Sequence, residues 1–156
     1  MNTTFEFIAT LSASLFTGAS IYINLVEHPA RISCGTRLAI TEFAPSYKRA
    51  TVMQVLLAIV AFISSLTAWL LNSGSNWLIG GCLIVLVIPF TIIAILPVNK
   101  KLLDPFLDKD SQYARQLLNR WAKLHGVRSI LSLISLVIFL LTRCRYFNGL
   151  LSQFDH

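Results

Sequence analysis

Two groups of polar side chains lie at the ends of long apolar stretches of the sequence. Asn24, Glu27 and His28 are spaced i, i+3 and i+4 where the first stretch ends, so a helix would place them on one face. His125 and Arg128 stand where the last stretch begins. A carboxylate or an imidazole in a low-dielectric pocket can act as a general base near neutral pH, and an arginine can stabilise an oxyanion. The first hypothesis is therefore acid–base chemistry at membrane depth.

Four apolar runs must position these side chains. The chain has 156 residues, of which 55% are hydrophobic and only 13% charged, about half the charged fraction of a typical soluble domain. A run of about 20 apolar residues spans the hydrocarbon core of a bilayer. The composition therefore predicts an all-α, polytopic membrane four-helix bundle. Residues 1–142 would form a single transmembrane domain, and residues 143–156 a short C-terminal tail. The four runs are Phe7–Val26, Ala50–Leu71, Trp77–Pro97 and His125–Thr142.

The basic residues are concentrated in two of the connecting segments. Ten of the 13 Lys and Arg residues lie between the first and second runs or between the third and fourth, and two lie in the tail. Basic loops remain in the cytoplasm. We therefore expect an integral protein of the plasma or inner membrane, with both termini on the outer side. The net charge of +6 is interpreted as a topology signal and not as nucleic-acid binding. The expected partners are membrane lipids and a lipophilic small molecule, and the sequence indicates no oligomeric state.

The end of the first helix carries an unusual carboxylate. His28 precedes Pro29, and a residue before proline disfavours α geometry, so the helix is expected to end or bend there. Glu27 then faces the negative end of the helix dipole and needs a cation or a proton. Arg31 is the nearer candidate for that cation, and Arg128 is the second.

The long connecting segments are expected to contain little membrane-spanning structure. Ile32–Tyr47 is predicted to be a short, mixed loop that includes a turn or an interfacial segment. Asp110 is a candidate N-cap for an amphipathic cytoplasmic helix that runs into the fourth transmembrane helix. Trp121 and Ser135 mark the ends of one polar face of that helix, with His125 and Arg128 between them.

The predicted topology brings the polar groups to one end of the bundle. The ends of all four helices would surround a single cytoplasm-facing mouth. The opposite end shows no comparable set, and Asn72, Asn76 and Arg143 are interpreted there as ordinary interface residues. The candidate catalytic residues are Glu27, His28, His125 and Arg128, and the candidate substrate-binding residues are Asn24, Tyr47, Gln54, Asn99 and Trp121.

Four segments at these helix ends resemble the signature segments of the anthrone oxygenase-like family. They are Asn24-Leu-Val-Glu-His-Pro-Ala-Arg31, Pro45-Ser-Tyr-Lys-Arg49, Pro97-Val-Asn-Lys-Lys-Leu102 and Trp121-Ala-Lys-Leu-His-Gly-Val-Arg128. The resemblance covers about residues 7–142 and implies a small four-helix membrane protein. It also implies, through members associated with oxygenation of anthrones to anthraquinones, an oxidoreductase acting on a lipophilic aromatic or quinone-like substrate. The shared site would comprise Glu27, His28, Asn99, Trp121, His125 and Arg128.

Other functions remain open at this point. Deprotonation and oxygenation of an anthrone requires no organic cofactor, with His125 or Glu27 as the base. Alternatively, His28, His125 and Glu27 form a 2-His-1-carboxylate set of the kind that suits iron, or the two histidines ligate haem. A third hypothesis is a non-enzymatic bundle that binds lipid or serves as an accessory subunit, in which a Glu27–Arg128 ion pair fixes the helix register.

Overall fold

Four long helices account for most of the chain. The computed structural model describes residues 2–151, with side chains described for residues 2–145. The helices are α1 (Asn2–Ser33), α2 (Thr36–Leu70), α3 (Ser75–Leu102) and α4 (Gln112–Leu151), and each is long and apolar enough to cross a membrane. No strand occurs within residues 2–151. The predictions of an all-α four-helix bundle and an integral membrane protein are confirmed, while residues 152–156 of the predicted tail lie outside the described range.

The helices extend well beyond the predicted apolar runs. α2 has 35 residues and α4 has 40, which at 1.5 Å per residue correspond to about 52 and 60 Å, whereas a hydrocarbon core needs about 30 Å. The predicted loop Ile32–Tyr47 is wrong, because α1 and α2 are joined only by Cys34 and Gly35. Gly35 adopts a φ of 97°, a conformation that glycine reaches without a Cβ clash. The sharp reversal at this residue allows both helices to continue past the membrane.

α4 begins as predicted ahead of its membrane-spanning part, but its cap is a different residue. The Oγ of Ser111 accepts a hydrogen bond from the backbone N–H of Ala114 at 3.1 Å, which is the N-cap geometry. Asp110, the predicted cap, instead forms an ion pair with Arg37 of α2. The hydrogen bond from Arg37 holds the pKa of Asp110 below its ordinary value. The start of α4 is thereby tied to the start of α2.

Two helices contain one wide turn each, close before a proline. Ile23–Glu27 in α1 and Thr91–Ile95 in α3 are π-helical, and Pro29 and Pro97 lie in the turn that follows each. A proline removes a backbone N–H and its ring clashes with the carbonyl four residues earlier. Single π turns absorb such irregularities and are frequent at functional sites. Of the two outcomes expected at His28, an end of α1 is wrong, since the helix continues to Ser33; a wide turn instead precedes this residue.

The buried core consists of two apolar clusters separated by polar side chains. We call the end with the connectors 34–35 and 103–111 the loop end, and the end with the 71–74 turn the hairpin end. Three buried polar residues lie between the two clusters along their helices, namely Ser20, Gln54 and His125. The cluster at the loop end includes Ile40, Phe43, Ile95, Val98, Leu102, Leu118 and Trp121, and the cluster at the hairpin end includes Ala13, Phe16, Ala58, Trp77, Ile84 and Phe139.

The hairpin end is less apolar than the sequence indicated. Arg143, interpreted as an ordinary interface residue, forms an ion pair with Glu6, whose side chain is buried against α4. The amide of Asn2 donates to the carbonyl oxygen of Leu71 at 2.6 Å. These contacts join the start of α1 to the end of α2 and to α4, so this end of the bundle is closed by polar contacts.

Candidate functional site

One face of α4 carries Trp121 of the loop-end cluster and the buried polar residues that follow it towards the hairpin end. Trp121, His125, Arg128, Ser132 and Ser135 are all buried, as their helical spacing predicted. The wide turns of α1 and α3 lie opposite this face. Their residues Ile23, Glu27, Thr91 and Ile95 line the same pocket as the indole, the imidazole and the guanidinium of α4.

A chain of hydrogen bonds fixes the orientation of His125. Ser129 donates its only hydroxyl hydrogen to the backbone carbonyl of His125 at 3.1 Å, so its oxygen accepts from the amide Nδ2 of Asn24 at 3.3 Å. The Asn24 oxygen Oδ1 must then face His125, and it lies 2.6 Å from Nδ1. Nδ1 therefore carries the ring proton, because Oδ1 can only accept. The second ring nitrogen, Nε2, keeps its lone pair.

Trp121 is the common neighbour of both histidines. Its indole stacks on the His125 ring, with centroids 4.7 Å apart and planes inclined by 25°. It also contacts the His28 ring at 5.3 Å and packs edge-on against Phe43 at 5.3 Å. His28 is buried in this aromatic group and is not among the residues that line the pocket. A catalytic role for His28 is therefore not supported by its position.

The 2-His-1-carboxylate set of the iron hypothesis can be compared with the side-chain positions. Within residues 2–145, no three His, Cys, Asp or Glu side chains are grouped closely enough to hold a metal ion. The set of His28, His125 and Glu27 is therefore not the 2-His-1-carboxylate site that its sequence positions suggested.

Glu27 is engaged by the nearer of its two candidate cations. It forms an ion pair with Arg31, and its Oε1 accepts a hydrogen bond from Ser46 at 2.9 Å. Arg31 is itself buried and also pairs with Glu42. The Glu27–Arg128 ion pair, which the hypothesis of a non-enzymatic bundle predicted, does not form. Because its carboxylate is already bound by two donors, Glu27 is poorly placed to act as the base.

Arg128 and Asn99 are buried, and several of their polar atoms have no hydrogen-bond partner among the described residues. Among the described residues, nothing accepts from Nε or Nη2 of Arg128, whose guanidinium lies 5.1 Å from the ring centroid of Phe16. Both amide atoms of Asn99 are likewise without partners. A buried charge or amide without a partner is costly, and an ionisable residue at membrane depth marks a functional site by default. These groups are suited to bind an oxygen-rich ligand.

The polar groups converge on a small inner pocket. Its volume is about 30 Å³, enough for one or two molecules of the size of water. Asn24 and His28 lie behind its wall. The sequence interpretation named Arg31 as a partner for Glu27 but not as a site residue, and it missed Ser46, Thr51 and Thr91. Of the predicted site residues, the pocket is lined by Glu27, Tyr47, Gln54, Asn99, Trp121, His125 and Arg128.

Comparison with known protein families identifies this arrangement. The sequence profile described as anthrone oxygenase matches residues 43–138, well over half of the chain. The chain belongs to the anthrone oxygenase family. No curated protein and no solved structure matches the chain.

The part of the chain that matches the anthrone oxygenase family supplies most of the pocket. Residues 43–138 include Asn99, Trp121, His125 and Arg128, whereas Asn24 and the Glu27–Arg31 pair precede the matched stretch. The match is thus shorter than the resemblance over residues 7–142 that the sequence suggested. Helices α2, α3 and α4 carry the family's portion of the site, and α1 contributes the side chains that orient and enclose it.

A second, larger cavity adjoins the inner pocket in this anthrone oxygenase family member. It is a cleft of about 280 Å³ between α2 and α3, with Phe16 and Arg128 at its base. α2 packs closely on Ser75–Val85 of α3, and the two helices separate beyond Phe90. The cleft is mostly apolar and lies in the part of the bundle where the helices separate; its apolar wall includes Val55, Ala58, Val87, Ile88, Ile92 and Leu96.

Proposed function

We propose that the protein oxygenates a lipophilic anthrone-like ketone to the corresponding quinone, with His125 as the general base. One observation carries this proposal. His125 is held by Asn24 with a lone pair on Nε2, and it lines a pocket that also contains the unpartnered donors of Arg128. A base beside a fixed cation is the arrangement that forms and stabilises an enolate.

The proposed reaction balances with dioxygen as the only co-reactant. His125 removes one proton from the methylene carbon of the substrate, and the electron pair delocalises onto the ring carbonyl as an enolate. This electron-rich carbon is oxidised by dioxygen, and a carbon–oxygen bond forms. After the proton returns to the peroxide, the O–O bond breaks as the second methylene hydrogen leaves. The products are a new carbonyl group and one water molecule.

The neighbouring side chains have distinct roles in this proposal. Arg128 and Asn99 donate hydrogen bonds to the enolate oxygen, which is where negative charge develops. Tyr47, which also lines the adjoining cleft, presents its ring to the aromatic substrate, and Trp121 supports His125 by stacking on it. Glu27, bound by Arg31 and Ser46, closes the pocket wall. Asn24 is a positioning residue, because it acts through the tautomer of His125.

The small inner pocket suits the second reactant. A volume of about 30 Å³ excludes a three-ring ketone but admits a diatomic molecule. Dioxygen would therefore meet the substrate from the side of His125 and Trp121, while the rings remain in the adjoining cleft.

Oxygen uptake tests the proposal directly. The purified protein, in mild detergent and after treatment with a metal chelator, should consume one dioxygen per anthrone and release the quinone faster than the protein-free control. His125→Gln should abolish this excess rate, whereas His28→Gln, buried beside the same Trp121 but outside the pocket, should retain it. Equal excess rates in wild type and His125→Gln would refute His125 as the base.

The orientation in the membrane is a separate part of the proposal. The basic connectors place the loop end, and therefore the pocket, on the cytoplasmic side. Cys34 is exposed at the loop end, and Cys144 is exposed near the opposite end. A membrane-impermeant thiol reagent added to intact cells should label Cys144 in a Cys34→Ser, Cys82→Ser variant and should not label Cys34 in a Cys144→Ser, Cys82→Ser variant. The reverse pattern would invert the topology.

A further inference from the structure

The cleft between α2 and α3 faces the surface that the bilayer covers. Val55 and Ile92, on its two walls, are 37% and 56% exposed. Both lie in segments that are long and apolar enough to span the membrane. An opening with apolar walls at this depth is in contact with lipid chains and not with bulk water.

Five residues line both the cleft and the inner pocket, so the two cavities adjoin each other. The shared residues are Tyr47, Thr51, Gln54, Thr91 and Arg128. Arg128 is the only charged residue among them, and two of its guanidinium nitrogens have no partner within the described residues. Any molecule that fills the cleft therefore meets a cation at its inner end and apolar side chains along its sides.

We infer that this cleft is the binding site and lateral access route for a flat, lipophilic ring system that carries an anionic or carbonyl oxygen on one edge. The molecule enters from the hydrocarbon region between α2 and α3, and its oxygen accepts hydrogen bonds from Arg128, which lines both cavities. The choice of an oxygen-bearing ligand rests on the proposed function. Binding of that ligand to the cleft requires no turnover.

The volumes favour this division of the substrate between the two cavities. Binding sites for small organic molecules have volumes of about 300–1,000 Å³, and the cleft, at about 280 Å³, comes close to that range. The inner pocket is roughly a tenth of that size. A three-ring molecule must therefore lie in the cleft, and only its reacting edge can reach His125.

A second groove at the loop end is the competing route. It has a volume of about 440 Å³ and lies on the other side of the Glu27–Arg31 pair, between Tyr22, Val26 and Leu38. Both side chains of that ion pair border the groove and the inner pocket. The arginine on this side is already bound by two carboxylates. The groove therefore offers no cation that is free to bind an oxygen anion.

Equilibrium binding of a product-like probe tests the inference. A monohydroxylated anthraquinone has no methylene group to oxidise, so its binding to protein in lipid nanodiscs can be measured without turnover. Val55→Trp and Ile92→Trp should each weaken binding at least tenfold by filling the cleft. Val60→Trp and Ile93→Trp are matched controls on the same two helices, 41% and 76% exposed and outside the cleft lining, and should change affinity less than twofold.

The outcomes separate the route from the reaction. Loss of binding in Val26→Trp, with wild-type affinity in Val55→Trp and Ile92→Trp, would overturn the inference in favour of the second groove. Wild-type affinity in all three variants would also overturn it. Cleft-dependent binding without oxygen uptake in the wild type would refute the proposed oxygenation and leave the binding site standing. Oxygen uptake that is insensitive to both cleft variants would refute the route and leave the reaction standing.

Discussion

His125 Nδ1 lies 2.6 Å from Asn24 Oδ1, and this contact between α4 and α1 sets which ring nitrogen is basic. Its direction is determined by Ser129, whose hydroxyl hydrogen is already donated to the His125 carbonyl. The backbone of α4 thus determines the tautomer of its own histidine through a side chain of α1. An amide can do this without adding a charge to the membrane interior.

Substitution of Asn24 should separate turnover from binding. Asn24→Leu removes the acceptor, so His125 can adopt the other tautomer, and we expect kcat to fall about 10- to 100-fold, below the full effect of losing a general base. KM should stay within about twofold, because Asn24 does not line the pocket. Asn24→Asp keeps an acceptor at this position and should restore most of kcat. A uniform rise in KM in both variants would show that Asn24 has only a packing role.

Arg128 should show opposite effects on activity and stability. Arg128→Gln removes the cation at the developing oxyanion and should lower kcat/KM by about 10²- to 10³-fold. Arg128→Met should in addition stabilise the protein by about 1–3 kcal/mol, because an unpaired buried charge is replaced by an apolar side chain. Activity follows from oxygen uptake, and stability from unfolding in mixed micelles. Arg120→Gln, exposed on the same helix, is the control and should change neither quantity.

A stability loss in Arg128→Met would contradict this assignment. It would mean that the guanidinium stabilises the bundle, for example through its position over Phe16, and that its unpartnered nitrogens do not mark a ligand site.

Glu27 should matter for the fold more than for the reaction. Glu27→Gln leaves Ser46 a hydrogen-bond acceptor but weakens the pair with Arg31, so we expect a loss of about 1–3 kcal/mol with kcat within about fivefold of wild type. Glu42→Gln, which removes the more exposed of the two carboxylates on Arg31, should cost less. A fall in kcat of more than 100-fold in Glu27→Gln, at unchanged fold, would make Glu27 the base in place of His125.

The ion pair between Arg37 and Asp110 predicts a pH dependence of stability. The hydrogen bond from Arg37 lowers the pKa of Asp110 in the folded protein. A carboxyl group whose pKa is lower in the folded protein stabilises the fold at pH values above its pKa in the unfolded chain, which is about 3.9. This contribution disappears as the pH falls through the pKa that the group has in the folded protein. Asp110→Asn should therefore be less stable than wild type at pH 7, and the difference should vanish under strongly acidic conditions.

The melting temperatures of both proteins between pH 7 and pH 2.5 provide the measurement. A difference that grows as the pH falls would contradict the assignment. The effect at pH 7 should be small, because both side chains are exposed to solvent and the solvent screens exposed ion pairs strongly.

The number of helices and the end at which the polar residues gather could be predicted from the sequence. Both depend on long-range patterns, namely apolar runs of about 20 residues and the alternation of basic connectors. The buried face of α4 followed from the helical spacing of Trp121, His125 and Arg128. The connector between α1 and α2 was not predictable in this way, because the segment 32–47 is polar enough to form either a loop or a helix outside the membrane.

The ion-pair partner of Glu27 could be predicted, because Arg31 lies four residues later on the same helix. The contact of Glu27 with Ser46 could not be predicted, since contacts between helices depend on how each helix is rotated and how high it sits. The Glu6–Arg143 pair was missed for a similar reason, since it depends on the relative heights of α1 and α4. The prolines were a usable signal for the wide turns, as one follows closely after each.

The close packing of α3 on its neighbours should be intolerant of a single methyl group. A Cβ added at Gly81 would overlap the hydroxyl of Ser65, and one added at Gly80 would lie 2.5 Å from the ring of Phe139. That ring is fully buried and stacked on Trp77, so it has little room to move. Overpacking of this kind costs about 1–3 kcal/mol. Gly80→Ala and Gly81→Ala should therefore lower the free energy of unfolding by that amount each.

Gly18→Ala is the control. Nothing lies within 4 Å of the carbon added there, so this variant should be neutral or slightly stabilising, since alanine is the better helix former. Equal stability of all three variants would show that α3 can shift away from α2 and α4 without cost.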